Sequence, residues 1–156
     1  MIFSRLLPVR KIPTGTPSEG SAGSERKASS RVILGLATNQ EDKVKSERKK
    51  LVSTLDKVFS LYIRNRDKQC VICGSRERLT CGHLLTRTAY STRWDEMNCA
   101  CQCVGCNGRH EWDASKYTVW FLNKFGKKAY EELALRHYTI RKFTNEELKE
   151  MIQRYK

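Results

Sequence analysis

Cys70-Val-Ile-Cys73, Gly82-His83 and Cys103-Val-Gly-Cys106-Asn107 form the stretch whose reading decides the fold. A Cys-x2-Cys turn lets two sulfurs aim at one ion, and two such knuckles supply the four thiolates of a tetrahedral zinc site. Such a site clamps two distant segments together and leaves His83 between the clamped ends. Val104-Gly105 eases its turn with a glycine, whereas Val71-Ile72 is bulkier. The strand spacing of Cys99, Cys101 and Cys103 points all three the same way, so Cys101 competes with Cys103 as a ligand. Cys103 is preferred because it completes the second knuckle, and Cys81, Cys99 and Cys101 are then core residues.

Around this stretch the chain changes period. Leu51, Leu55, Val58, Phe59 and Tyr62 fall at helical spacing and predict an amphipathic helix over 47–66. Leu79-Thr-Cys-Gly-His83 and Asn98-Cys-Ala-Cys-Gln-Cys103 each fit a short strand, with Leu79, Cys81 and His83 on one face. Between them, residues 86–94 read as a basic, polar loop. Tyr117, Trp120, Phe121 and Lys124 predict a helix that ends at Gly126. Ala129, Leu133 and His137 suggest another. Thr144-Asn-Glu-Glu147 is a capping box before a last helix that buries Leu148, Met151, Ile152 and Tyr155. The class is therefore α+β: a small zinc-stapled core over 70–125, flanked by a helix at 47–66 and helices within 127–156.

Residues 1–46 hold all three prolines and a Gly/Ser-rich run, and read as a flexible, disordered basic arm. Only Val32-Ile-Leu-Gly-Leu36 is apolar enough to dock. The chain of 156 residues carries a net charge of +13. The arm has 8 Lys+Arg against 4 acids, leaving +4 there and +9 on the part expected to fold. That balance favours a polyanionic partner, most simply nucleic acid. Arg87, Arg93, Arg109 and Lys116 flank the cysteine cluster and are candidate phosphate contacts. No apolar run is long enough for a transmembrane helix. The first residues lack a signal-peptide core. They resemble an organellar presequence only weakly, and a basic tail is the simpler reading. The seven cysteines are odd in number and crowded into 70–106, which fits metal-bound thiolates in a reducing compartment, the cytoplasm, better than a disulfide framework. A redox Cys-x2-Cys would open a helix beside a parallel sheet, and neither knuckle has that setting.

A histidine held opposite an asparagine suits phosphodiester hydrolysis. His83 would deprotonate a water. A divalent cation, Mg²⁺ or Mn²⁺, would offset charge on the leaving oxygen, held from a helix by Asn107 and His110, which lie three apart on one face.

The order Cys-x2-Cys, Gly-His, Asn, Cys-x2-Cys-Asn is similar to the zinc-containing branch of the His-Asn-His (HNH, or ββα-metal) nucleases. The longer run over roughly 45–135, including Leu55-Asp-Lys-Val-Phe-Ser-Leu-Tyr-Ile-Arg-Asn-Arg-Asp67, Thr92-Arg-Trp-Asp-Glu-Met-Asn98 and Gln102-Cys-Val-Gly-Cys-Asn107, resembles the NinG/Rap family of phage recombination proteins. The double knuckle also resembles that of the junction-resolving endonuclease VII. The resemblance implies a metal-dependent DNA endonuclease acting on branched recombination intermediates. It makes His83 the general base, Asn107 a ligand of the catalytic divalent ion, and Cys70, Cys73, Cys103 and Cys106 the holders of structural zinc. By the same analogy it implies a homodimer and contact with other recombination proteins. One departure stands out. Many such nucleases carry a metal-binding acid just before the histidine, where this chain has Gly82. Asp95, Glu96, Glu111 and Asp113 are the acids near enough in sequence to compensate. A non-catalytic zinc module that binds nucleic acid, and an HNH nuclease on duplex DNA, are the competing readings.

Overall fold

The computed structural model describes the backbone of residues 27–156 and side chains from Gln40 onward. The elements are α1 (Lys27–Asp67), β1 (Leu79–His83), β2 (Cys99–Cys103), α2 (Val104–His110), α3 (Ser115–Tyr138) and α4 (Asn145–Arg154). Residues Glu41–Lys156 form one compact unit, which holds the hairpin and the helices packed on it. The helix expected over 47–66 lies within the longer α1. Residues 27–46, expected as part of a disordered arm, therefore carry helical backbone. Their Ala, Leu, Glu, Gln and Lys content is compatible with that, whatever the Gly/Ser-rich run before them suggests. Residues 1–26, and the side chains of Val32–Leu36, lie outside the described residues.

The strands pair antiparallel, with Leu79 opposite Cys103, Cys81 opposite Cys101 and His83 opposite Cys99. Period-two alternation sends Cys99 and Cys101 to one face and Ala100 and Gln102 to the other. Both faces are covered, so β2 is almost wholly buried. On the first face lie Leu55, Phe59 and Ile63 of α1, Trp94, and Leu148 and Ile152 of α4. On the second lie Leu84 and Tyr117, Phe121 and Leu133 of α3. The expected breaks are present. Gly126 interrupts α3 at φ 83°, a backbone conformation that glycine adopts without strain. Thr144 and Glu147 form the reciprocal capping box of α4.

Two side chains tie the hairpin to its surroundings. Asp67, at the end of α1, accepts the Cys101 amide at 2.8 Å. Asn98 is fully buried. Its Oδ1 accepts the Leu85 amide at 2.8 Å, and its Nδ2 donates to the carbonyls of Leu85 and Thr92 at 3.0 Å. The polar loop between the strands is thus closed onto the start of β2. Asn98→Ala leaves those three backbone groups without their partner. It should lower stability by about 2–4 kcal/mol, read as a shift of the urea midpoint at unchanged slope.

Candidate metal centre and histidine site

The two knuckles meet at the end of the hairpin where β1 begins. Cys70 follows α1, and Gly74, at φ 75°, turns the chain after Cys73 while its amide donates to the Cys70 carbonyl at 2.8 Å. Cys103 closes β2 and caps α2; its sulfur accepts the Cys106 amide at 3.5 Å. The sulfurs of Cys70, Cys73, Cys103 and Cys106 all lie within 4.8 Å of one another. The Cys73–Cys103 separation is 3.7 Å. Zinc–thiolate bonds of about 2.3 Å in a tetrahedron place sulfurs about 3.8 Å apart, so the donor set fits zinc. Burial pushes the Cys70 thiol up, but amide hydrogen bonds from Cys103, Cys73 and Ile72 outweigh it and bring it down to about 7. Burial and its three neighbouring thiols push Cys106 up to about 12. A bound dication would relieve that crowding and take all four as thiolates. Cys101 does not belong to the quartet; it is fully buried in the α1 core, as is Cys99.

At the far end of β1, His83 is half-buried and faces α1. Its Nε2 lies 2.9 Å from the Arg93 carbonyl. A carbonyl only accepts, so Nε2 carries the hydrogen and Nδ1 bears the lone pair. Burial holds His83 below the ordinary histidine range; the Arg93 carbonyl opposes this, and the charges of Arg87 and Arg93 reinforce it. Its ring lies among the side chains of Asp56, Cys81, Arg87, Arg93 and Trp94. Ligand atoms of Cys81, His83 and Cys99 also come within 4.8 Å of one another.

The candidate phosphate contacts divide. Arg93 makes a bidentate pair with Asp56, at 2.9 and 2.6 Å, and stacks against Tyr90 and Trp94. Its charge is therefore already matched within the protein. Arg87 is exposed beside His83, whereas Arg109 and Lys116 are exposed beside His110 on the other side of the hairpin. Asp56 has no place among the residues the motifs single out. Its one mark in the sequence is being the single acid between Glu47 and Asp67 on an otherwise basic helix.

α2 folds back along the hairpin, and His110 at its end puts Nε2 3.2 Å from the Leu84 carbonyl. Asn107 is half-buried one turn earlier, and no hydrogen bond joins its side chain to His83 among the described residues. Of the candidate acids, Asp95 pairs with Arg136 at 2.9 Å, and Glu96 accepts from the Tyr62 hydroxyl at 2.8 Å. Glu111 is exposed. Asp113 lies with His110 at a small cavity.

Gly82 faces that cavity's side of the hairpin and packs closely against the end of the Gln102 side chain. A Cβ there would fall 2.3 Å from Gln102 Oε1 and 2.6 Å from its Cδ. Gln102 is fully buried, and its amide end would have to shift within the small cavity it lines to admit a methyl group. Gly82→Ala should destabilise by about 1–3 kcal/mol. Combined with Gln102→Ala the penalties should be less than additive in a thermal-melt double-mutant cycle.

A two-stranded hairpin among helices, with four cysteines close enough to hold one metal ion and a histidine at the far end of β1, defines an α+β protein with a candidate thiolate metal centre. The chain belongs to the NinG family: the profile described as Bacteriophage Lambda NinG protein matches residues 19–156. The protein ninG of Escherichia phage 933W is 29% identical over 109 residues, covering 67% of this chain and 54% of that protein. Those of Salmonella phage P22 and Escherichia phage lambda are 29% and 28% identical over 109 residues, each covering 67% of this chain and 53% of theirs. The chain thus spans about half the length of the curated relatives it matches. No solved structure matches. Among the described residues no helix is long and apolar enough to cross a membrane.

Proposed function

We propose that this chain is a metal-dependent DNA endonuclease of the HNH type, acting on branched recombination intermediates. The observation that carries the reading is His83: its Nε2 is anchored on the Arg93 carbonyl, and its basic Nδ1 is left for a proton. The four sulfurs do no chemistry; they hold the hairpin against α2. Water attacks phosphorus, its proton passes to Nδ1, and the bond from phosphorus to the leaving oxygen breaks. Depression of the His83 pKa keeps the imidazole neutral at neutral pH, the form a general base needs. A bound Mg²⁺ or Mn²⁺ would supply charge neutralisation at the leaving oxygen. Asn107 and His110 on α2 are its proposed ligands. Arg87, Arg109 and Lys116 provide exposed cations for the backbone phosphates. The net charge of +13 supports a polyanionic substrate. The resemblance to junction-cutting phage enzymes supports branched DNA over plain duplex, action as a homodimer, and a setting among other recombination proteins in the cytoplasm.

The test is cleavage of matched four-way junction, duplex and single-stranded DNA with Mg²⁺ or Mn²⁺. Nicking of the junction in preference to duplex is expected. Preferential cutting of duplex would shift the reading to a duplex HNH nuclease. No cleavage of any of these with either ion would sink the enzyme reading. The surviving alternative would then be a zinc module that binds nucleic acid without turnover. Gly82 favours that alternative, because no carboxylate stands at the position where many HNH enzymes hold their ion.

A further inference from the structure

The face of the hairpin that packs on α1 carries a second group of metal-binding atoms, at the end of β1 away from the four-sulfur centre. Ligand atoms of Cys81, His83 and Cys99 lie within 4.8 Å of one another. The register explains why. The Leu84 amide donates to the Asn98 carbonyl, so the neighbouring pair, His83 opposite Cys99, is a non-hydrogen-bonded one. Facing side chains stand closest in such a pair. Cys81 is two residues before His83 and shares its face. A tetrahedral zinc ion, with bonds of about 2.3 Å to sulfur and about 2.0 Å to nitrogen, draws its ligand atoms to about 3.5–3.8 Å from one another. The three groups are therefore within about 1 Å of closing on one ion. Cys81 and His83 also line a cavity of about 100 Å³, through which an ion can reach them, while Cys99 is buried. Neither Cys81 nor Cys99 has a part in the four-sulfur centre or in the proposed hydrolysis.

We propose that Cys81, His83 and Cys99 form a second, inhibitory site for a thiophilic dication such as Zn²⁺, and that filling it removes His83 as a base. The site rests on the nuclease reading for its consequence and on the geometry alone for its existence. The consequence is the same whichever ring nitrogen binds. At Nδ1 the ion takes the lone pair that would receive the water's proton. At Nε2 it displaces the hydrogen held by the Arg93 carbonyl, and the neutral ring then carries its hydrogen on Nδ1. Either way no basic nitrogen is left. Each cysteine gives up one proton on binding, and two thiolates cancel the charge of the dication. The loaded site is therefore neutral, so Arg87 beside it does not oppose binding, and Arg93 is already matched by Asp56. Sulfur ligands select Zn²⁺ over the Mg²⁺ or Mn²⁺ of the proposed reaction, which then do not compete for the site. Cys99 is buried and costly to ionise, and there are three protein ligands instead of four. The site is accordingly weaker than the four-sulfur centre: the isolated chain keeps one zinc, and the second binds from excess.

The experiment is a Zn²⁺ titration of the full chain already holding one zinc, under a non-thiol reductant. It is read by competition with a chromophoric chelator and by the imidazole ¹⁵N resonances of His83. A second equivalent is expected, with one His83 ring nitrogen shifted by the metal. Cys81→Ser and His83→Ala should each lose that equivalent and keep the first. Excess Zn²⁺ should arrest junction cleavage by the wild type and spare Cys81→Ser, which should match the wild-type rate when no excess is present. Retention of the first zinc and circular dichroism serve as fold controls, and if Cys81→Ser fails them His83→Ala decides the binding. Absence of a second equivalent, or one that survives both substitutions, overturns the site. Equal inhibition of the wild type and Cys81→Ser overturns its inhibitory role. A second equivalent lost as described, in a chain that cuts no DNA, would keep the site and remove the nuclease reading.

Discussion

Cys103→Ser, or exhaustive chelation of the wild-type chain, should unfold the hairpin and α2 and not merely loosen them. Zinc content should fall from one ion per chain to near zero, and near-ultraviolet dichroism from Tyr117 and Trp94 should collapse with it. The effect is large because Cys103 has three positions in the architecture. It ends β2 opposite Leu79, caps α2 through the Cys106 amide, and bridges to Cys73 at 3.7 Å. Apparent zinc binding in comparable thiolate sites is worth about 10–16 kcal/mol near neutral pH, as much as or more than the whole stability of most domains. Cys101→Ser makes a sharp comparison. That residue neighbours the site in sequence but lies in the α1 core, so zinc should be retained while stability falls. Retention of stoichiometric zinc and native dichroism in Cys103→Ser would contradict the four-sulfur assignment.

His83→Ala should reduce cleavage of the preferred DNA by about 10²–10⁴-fold at neutral pH, equivalent to about 3–5 kcal/mol of transition-state stabilisation. Zinc content and DNA binding should be unchanged. For the wild type, activity should climb with pH and level off, with the inflection below the free-histidine value of about 6.5. The sign follows from burial, which with Arg87 and Arg93 disfavours the protonated imidazole. The same depression acts on stability. Between the folded and unfolded pKa values the unfolded chain holds the extra proton, so stability is lost as pH falls below about 6.5. Asp56→Asn removes the anion that pairs with Arg93 and should move the inflection further down, since the Arg93 charge then bears on His83 without its counterion. Cleavage by His83→Ala at the wild-type rate would take His83 out of the mechanism.

What the chain disclosed before folding was whatever depends on neighbours in sequence. The knuckles, the register face shared by Cys81 and His83, the break at Gly126 and the Thr144 cap are all local spacings or single-residue backbone preferences. Three features depend on partners far along the chain and had no such mark. Arg93 looked like a free phosphate contact because Asp56, which neutralises it, lies on α1, far along the chain from the loop that carries Arg93. Gln102 looked like an ordinary strand residue because its meaning comes from the missing side chain of Gly82 across the hairpin. The acids near the motif looked equivalent until Asp95 and Glu96 were found paired with Arg136 and Tyr62. The helical backbone before residue 47 was hidden for another reason. A glycine- and serine-rich run beside it dominated the local composition.

The register of the hairpin puts Cys103 opposite Leu79 and His83 four residues further along β1. At about 3.4 Å per residue, the sulfur cluster and the imidazole stand roughly 14 Å apart on one stiff ribbon. Cobalt substituted for zinc would therefore be a spectroscopic label that leaves the imidazole's surroundings alone. Its visible bands would report whether the ribbon stays whole while DNA is bound and released.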